Sequence, residues 1–358
     1  MIYLDNASTT KPDYRVLDIY QQVQSEAYFN SESLHTGGIH TKKLLSECRK
    51  YIQNYFNTNK EVLFARSGSH ANAIAIYNYL QNTDKKVILV SPYEHPSVLA
   101  ALSTFKQFTI QYMPLDSRGE IAIDQIHLHI NAQTALIIMQ HVNSETGYIL
   151  PVKDIAKIAK LYNIPIHVDG VQAVKKIETI DLTDITSYSF SGHKFHATKG
   201  SGTVIMQHQY IKPLNPHYLH EQHSQNGTID TASIIAMTKA LSLPDETHNI
   251  THVKSRAERL AKLLNFNLIN YENQSPYILG LLSPKYEGQY IMQTLASKNV
   301  CISTGTACGH GMLLSDGLQG KINTLANDAV DQYIRLSFSQ HTSIHEIDQC
   351  FDHLATMY

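Results

Sequence analysis

The chain has 358 residues, with 29 Lys and Arg against 31 Asp and Glu, which gives a formal net charge of −2 at pH 7. This balance excludes the strong positive field by which a basic protein recruits nucleic acid or an anionic membrane. The length predicts a large domain plus a smaller one, which together are able to bury a cofactor.

The cysteines and the first residues indicate the compartment. Four cysteines lie far apart in the sequence, without the paired spacing of a metal site. The opening MIYLDNAS has no charged and apolar leader pattern, and no apolar run approaches the roughly 20 residues of a membrane span. We therefore expect a reduced, cytoplasmic protein with no bound metal, no membrane contact and no direct contact with nucleic acid.

From about residue 60 to 210, short apolar runs alternate with amphipathic stretches. The runs predict buried strands at residues 87–90, 136–142, 164–169, 187–192 and 203–206. Residues 153–162 place Ile155, Ile158 and Ala159 on one face at helical spacing. This alternation predicts an α/β fold with a mostly parallel, doubly wound sheet.

The pattern changes after about residue 240. Helices are predicted at residues 253–264 and 290–298 and after His345, with a strand at 277–282. These elements predict a smaller α+β domain. The expected division is an N-terminal segment (1–14) that packs with the small domain, a large domain (15–240) and a small domain (241–358).

Polar residues follow several of the predicted strands. In a doubly wound sheet, ligands bind at the carboxyl ends of the strands. The candidates at these ends are Asn143, Glu145, Asp169, Gln172, Ser191, His193 and Lys194.

Lys194 and Asp169 together point to a cofactor. A crowded lysine has a lowered pKa and is able to attack an aldehyde, although on its own this segment would favour a surface lysine at position 194. Asp169 ends an apolar run, where a carboxylate needs a cation. A protonated pyridine nitrogen is such a cation, and the pair suits pyridoxal 5′-phosphate (PLP). The alternative for Asp169 is a helix N-cap.

The segment RSGSHANAIAI (residues 66–76) is a candidate phosphate site. Ser67, Gly68 and Ser69 come directly before a predicted helix, where backbone N–H groups and hydroxyls bind anions. The same residues also form ordinary helix caps, so this alternative stays open.

Eight motifs in order resemble the NifS/IscS-type cysteine desulfurases, a branch of the class V aminotransferases among the fold-type I PLP enzymes. The motifs are YLDNASTTKP (3–12), FNSESLH (29–35), EHPSVL (94–99), HVNSETG (141–147), HVDGVQA (167–173), SFSGHKF (189–195), STGTACGHG (303–311) and RLSFS (335–339). The resemblance implies a seven-stranded sheet with helices on both faces and a smaller α+β domain.

The resemblance also implies residue roles around the cofactor. Lys194 would link PLP, Asp169 would pair with its ring nitrogen and Gln172 would bind its phenolic oxygen. His95 would stack on the ring and act as an acid or base. Asn143 would lie beside both substrate and cofactor.

Further implied contacts concern the phosphate and the substrate. Gly68, Ser69, Ser191 and His193 would contact the cofactor and its phosphate, and Thr228 would reach the phosphate of a neighbouring subunit in a homodimer. Arg335 would bind the substrate α-carboxylate, since arginine holds carboxylates bidentately; the alternative is a surface ion pair.

Cys308 lies in a stretch of small residues flanked by glycines, which is typical of an exposed loop. A single cysteine is more often a small buried apolar residue. The resemblance implies instead that Cys308 takes the sulfur of L-cysteine as a persulfide, leaving L-alanine. An acceptor protein would then receive the sulfur, such as an iron–sulfur scaffold or a tRNA-thiolation enzyme.

The sequence departs from the family near the phosphate. Gln225 stands in place of an arginine, Ser69-His70 in place of a threonine–glutamate pair, and VNSE in place of VNNE. These changes predict weaker PLP binding, because a charge-assisted hydrogen bond contributes about 1.5–3 kcal/mol. Two alternatives follow: another class V PLP enzyme, such as a selenocysteine lyase or an aminotransferase, or a degenerate, non-catalytic PLP-fold partner protein.

Overall fold

The structure is a computed structural model that describes residues 1–81, 83–245, 249–304, 314–326 and 329–358. Its helices and strands follow the chain as β1 (Ile2–Tyr3), α1 (Tyr14–Glu26), α2 (Thr36–Tyr55), β2 (Glu61–Ala65), α3 (Gly68–Leu80), β3 (Val87–Val90), α4 (Pro96–Ser103), β4 (Thr109–Tyr112), β5 (Thr134–Gln140), α5 (Val152–Leu161), β6 (Ile166–Asp169), β7 (Ser187–Ser191), β8 (Gly202–Met206), α6 (Thr231–Ser242), α7 (Ile250–Leu263), β9 (Asn267–Ile269), β10 (Ile278–Leu282), α8 (Gly288–Ala296), β11 (Val300–Cys301), α9 (Asp316–Leu325), β12 (Tyr333–Ser337) and α10 (Ile344–Ala355).

The large sheet has seven strands in the order β2-β8-β7-β6-β5-β3-β4. β8 runs antiparallel to both of its neighbours, and the other pairings are parallel. All seven residues of the central strand β5 are buried, as expected for a parallel strand covered on both faces. The predicted mostly parallel sheet is therefore confirmed.

Helices cover both faces of this sheet. α3 and α4 bury Ile74 and Leu102 on one face, and α2 and α5 bury Leu45 and Ile155 on the other. Side chains along β3 alternate between the two cores, with Leu89 in one and its neighbours in the other. The sheet thus forms a middle layer with both faces covered, so a site is able to form only at the ends of its strands.

A second, three-stranded antiparallel sheet has the order β12-β10-β9. α7, α8 and α10 cover it with a third hydrophobic core that also contains Leu4 and Ala7. β1 pairs in parallel with β11, and Asp5 forms a bridge with Ser337. The beginning of the chain is therefore part of the region built by the end of the chain.

The predicted elements are present, and their ends differ from the predicted ones by three residues at most. The strand predicted at 136–142 is β5 at Thr134–Gln140, and the helix predicted at 253–264 is α7 at Ile250–Leu263. β4, which the sequence did not predict, is an edge strand whose residues are mostly exposed, so it lacks an apolar run. Within the described ranges, no helix combines the length and apolar composition of a membrane span.

Gly202 lets β8 approach the turn before α3. A Cβ atom at this position would lie 2.3 Å from the Ser67 carbonyl oxygen, and backbone atoms are unable to rotate away. We expect Gly202→Ala to lower the free energy of unfolding by about 1–3 kcal/mol, measured by urea denaturation. Gly320→Ala is the control, because nothing lies within 4 Å of its Cβ position and alanine favours a helix by about 1 kcal/mol. Equal stabilities of the two variants would contradict the expectation.

Candidate active site

A cavity of about 180 Å³ opens at the carboxyl ends of the parallel strands. Nine residues predicted from the sequence line it: Gly68, Ser69, His95, Asp169, Gln172, Ser191, His193, Lys194 and Arg335. The other lining residues are Ala7, Ser8, Ser67, Asn72, Ser97, Gln140, Val142, Ser144 and Val171. The N-terminal segment and β12 therefore close a site whose other walls come from the large sheet.

Lys194 follows β7 in a short 3-10 turn, Gly192–Lys194. Its Nζ donates hydrogen bonds to the carbonyl oxygens of Ala7 and Ser8, both at 2.7 Å. The amine is thus held at the cavity wall by the N-terminal segment.

Asp169 ends β6 and is buried. Its Oδ1 accepts a hydrogen bond from the Val171 N–H at 2.9 Å, and its Oδ2 accepts one from Asn72 Nδ2 at 2.8 Å. One oxygen therefore stabilises the turn that follows β6, but this segment forms turns and not the helix that the N-cap alternative required. Because each carboxylate oxygen accepts more than one hydrogen bond, Asp169 is also able to bind a cation in the cavity.

Asn72 links Asp169 to a buried polar chain behind the sheet. Its Oδ1 accepts from the Ser189 hydroxyl and lies 3.1 Å from His167 Nε2. Burial lowers the pKa of His167 to about 3, so the ring is neutral at neutral pH. Because Asn72 donates through Nδ2 to Asp169, its Oδ1 must accept, which places the His167 proton on Nε2 and leaves Nδ1 to accept from Ser187 Oγ at 2.8 Å.

His95 is the N-cap residue of α4. Its Nδ1 accepts a hydrogen bond from the Ser97 N–H at 3.1 Å, so the neutral ring carries its proton on Nε2. Burial lowers the pKa of His95, the Asp169 carboxylate opposes this effect and Lys194 adds to it. The result is a neutral imidazole with one exchangeable proton.

The first turn of α3 forms the anion-binding end of the cavity. Ser67 caps the helix by accepting from the His70 N–H at 3.1 Å, and Ser69 is exposed in the first turn. A Cβ atom on Gly68 would lie 2.8 Å from Val171 Cγ2, so glycine allows the close approach.

Burial lowers the pKa of His193 to about 3, helped by nearby lysines, so this ring also is neutral.

Arg335 lies in β12 and is only 2% exposed. Its Nη1 donates to the Ser144 carbonyl oxygen at 2.9 Å, and its Nη2 pairs with Asp5 Oδ1 at 2.6 Å. Its Nε is buried without a hydrogen-bond partner among the described residues. The guanidinium is therefore held in place through Nη1 and Nη2, while its Nε–H has no partner among the described residues.

Three of the described residues predicted from the sequence do not line the cavity: Asn143, Glu145 and Thr228. Asn143 instead organises its own loop: Nδ2 donates to the Tyr93 carbonyl oxygen at 3.2 Å, and Oδ1 accepts from the Thr146 N–H at 2.8 Å. Thr228 is exposed, and Cys308 lies outside the described residues.

Glu145 ties the Asn143 loop to the beginning of α9. Its Oε1 accepts from the Ser315 N–H at 2.9 Å, and Oε2 accepts from the Ser315 hydroxyl. Burial raises the pKa of Glu145, while the bonds to Ser315 lower it.

Among the described residues, no group of three side chains is suited to a metal ion.

The donor set of the cavity fits PLP. Lys194 offers an amine to an aldehyde, and Asp169 offers a carboxylate to a protonated ring nitrogen. Gln172 directs its Nε2 at the Ala7 carbonyl oxygen, 2.7 Å away and beside Lys194, where it is able to serve a phenolic oxygen. The first turn of α3 offers backbone N–H groups and hydroxyls to a phosphate.

The class V aminotransferase family matches residues 2–350, and the chain belongs to this family of PLP-dependent enzymes. The putative cysteine desulfurase NifS of Bacillus subtilis (strain 168) is 30% identical to it over 98% of this chain and 92% of its own length.

Solved structures share the fold. A NifS-like protein has a TM-score of 0.90 and 24% identity, covering 99% of this chain and 98% of its own. SspA in complex with cysteine has a TM-score of 0.82 and 23% identity, covering 96% of this chain and all of its own (100%). The expected type I fold of PLP enzymes is therefore confirmed.

His167 makes the protein sensitive to acid. Its pKa is about 3 in the folded protein against the ordinary 6.5. Between these pH values the unfolded chain therefore binds a proton at His167 that the folded protein does not bind. Stability therefore falls as the pH decreases from about 6.5 towards 3, by up to about 1.4 kcal/mol per pH unit from this group. We expect His167→Gln to flatten this decline in urea denaturation between pH 7 and 4. His208→Gln, at an imidazole that is 80% exposed, is the control; an unaltered slope in His167→Gln would contradict the expectation.

Proposed function

We propose that the protein is a PLP-dependent cysteine desulfurase, which converts L-cysteine to L-alanine and transfers the sulfur to Cys308 as a persulfide. The main support for this proposal is that one cavity brings together Lys194, Asp169 and Arg335, whose buried Nε has no hydrogen-bond partner among the described residues. Full-length similarity to a putative cysteine desulfurase at 30% identity supports the same assignment.

Lys194 would hold the cofactor through its amine, and Asp169 would keep the proton on the ring nitrogen. When bound, PLP supplies an electron-accepting ring for the electron pair released at the substrate α-carbon. Gln172 would bind the phenolic oxygen. The phosphate contacts would come from Gly68, Ser69, Ser191 and His193, and from Thr228 of a neighbouring subunit.

Arg335 would bind the substrate α-carboxylate. Its Nε has no partner among the described residues, and a buried unpaired donor is costly unless a ligand satisfies it. Asp5 and the Ser144 carbonyl hold the guanidinium in a fixed plane, which reduces the entropy lost on binding. Asn143 would support this side of the site through its loop.

Lys194 and His95 would move the protons. The Lys194 amine would accept the proton at the substrate α-carbon. Since the Ser97 N–H occupies Nδ1 of His95, His95 would exchange its proton through Nε2 with the substrate thiol.

Cys308 would accept the sulfur, an inference from the motif STGTACGHG. The substrate carbon–sulfur bond breaks and a sulfur–sulfur bond forms at the Cys308 thiolate. Cysteine and the Cys308 thiol together contain the atoms of alanine and the persulfide, so this step needs no external oxidant. The persulfide then passes to an acceptor protein, such as an iron–sulfur scaffold or a tRNA-thiolation enzyme.

A cytoplasmic homodimer is the proposed working form, with domain boundaries near residues 14 and 240. Large apolar side chains are exposed at Leu34 (93%) and Leu219 (69%), which suits a protein contact. A second copy would cover these apolar side chains.

The function is tested by purifying the protein with PLP, recording its visible absorption and adding L-cysteine under reducing conditions. We expect a cofactor band that Lys194→Ala removes, and equal amounts of alanine and sulfide that Cys308→Ala abolishes. A band without alanine would instead support another class V reaction. The absence of a band in the unaltered protein would support a non-catalytic partner and implicate Gln225 and Ser69-His70.

Arg335→Lys tests the carboxylate site. Lysine keeps the charge but loses the planar set of donors, and a charge-assisted hydrogen bond contributes about 1.5–3 kcal/mol. We expect the KM for L-cysteine to rise about 10- to 100-fold, with the cofactor band retained. Steady-state kinetics measures the change, and a KM equal to that of the unaltered enzyme would exclude Arg335 as the carboxylate ligand.

A further inference from the structure

Lys176 is a buried lysine that the proposed reaction does not use. It is 8% exposed and lies in the turn that follows β6. Its Nζ donates a hydrogen bond to Gln172 Oε1 at 2.6 Å. Lys176 does not itself line the main cavity, so any effect on a ligand there passes through Gln172.

The charged groups that face Lys176 are basic. Burial lowers its pKa well below the ordinary value, and Lys194 and Arg335 lower it further. His193 and His196 are also close enough for their pKa values to be lowered by Lys176. Burial and these basic neighbours therefore disfavour the charged form of Lys176, and its Nζ has N–H groups to donate in either protonation state.

The hydrogen bonds of Gln172 fix which end of its amide faces the cavity. The Ala7 carbonyl oxygen only accepts, so the group 2.7 Å from it must be the donor Nε2. Oε1 then faces Lys176, which donates to it. In the reversed orientation two acceptors, Oε1 and the Ala7 oxygen, would meet, which is unfavourable.

The same Ala7 carbonyl oxygen accepts from Lys194 Nζ at 2.7 Å. Gln172 Nε2 and Lys194 Nζ thus share one acceptor, which places the amide N–H at the edge of the cavity where the Lys194 amine lies. The Ala7 carbonyl oxygen and Lys176 thus hold the two ends of the Gln172 amide in one orientation, which offers a donor at this edge.

We infer that Lys176 is a positioning residue for the cofactor, which holds the Gln172 amide with its N–H directed towards the phenolic oxygen of PLP. This inference rests on one part of the proposed function, the binding of PLP. It does not depend on cysteine being the substrate.

The first test uses cofactor-free protein, so its outcome does not depend on catalysis. Glutamine side-chain amides are labelled with 15N, and Gln172→Leu identifies the Gln172 signal. In Lys176→Met, which keeps the length and removes the donor, we expect the Gln172 amide signal to shift and its hydrogen exchange to accelerate about 2- to 10-fold, the factor of one hydrogen bond of ordinary net strength. An unmoved signal with unchanged exchange would overturn the inference.

The second test is a pH titration of the absorption of the PLP-loaded protein. A hydrogen bond from Gln172 stabilises the deprotonated phenolic oxygen, so its loss in Lys176→Met should raise the pKa of the absorption change by about 0.5–1 unit. The matched control is Lys254→Met, at another buried lysine that donates to the Ser275 carbonyl oxygen far from the cavity, and its titration should not move.

A double-mutant cycle separates an effect through Gln172 from a direct one. In the Gln172→Leu background, Lys176→Met should add no further shift. Additive shifts would overturn the inference while leaving PLP binding intact. Circular dichroism checks that each variant is folded, and Lys176→Gln replaces Lys176→Met in both tests if the methionine variant does not fold.

Discussion

Three basic side chains lie close enough to repel one another, and this repulsion is the constraint on which the site depends: Lys194 and Arg335 line the cavity, and Lys176 lies next to it. Placing like charges together in a buried region is costly unless they are neutralised or hydrogen-bonded. Residues 5–8 meet much of this demand, through the Asp5 carboxylate and the carbonyl oxygens that bind Lys194. Lys176 donates a hydrogen bond to Gln172 Oε1, and burial, Lys194 and Arg335 lower its pKa, which disfavours a further positive charge here.

The same segment joins the two sheets. Leu4 and Ala7 are buried in the core of the small sheet, while the Ala7 carbonyl oxygen bonds to Lys194 at the end of a strand of the large sheet. Packing on one side therefore sets the position of a polar group on the other. Preorganisation of this kind lets a site bind its ligand without ordering its own side chains first.

The sequence predicts the large sheet well because buried parallel strands form continuous apolar runs. It also predicts that Asp169 and Lys194 lie at the site, since both stand at the ends of such runs. The role of Ala7 is not predictable in this way, because its contribution is a backbone carbonyl that every residue carries. Asn72 lies within residues 66–76, which the sequence predicts as a phosphate site. Its contact with Asp169 arises only in the folded structure.

Other parts of the site depend on three-dimensional context alone. Asn143 follows a strand as predicted, but its side chain is used within its own loop. Lys176 has no local signal that separates it from a surface lysine, because its burial comes from neighbours distant in sequence. The role of Cys308 stays a prediction from its motif.

The pairing of Asp5 with Arg335 joins residues 330 positions apart. A ribosome delivers the first of these residues long before the second, so the nascent chain holds an unfinished pocket throughout its synthesis. Closing so long a loop is entropically costly, and contacts of this kind form late. The pocket is therefore complete only once the chain has been translated past Arg335.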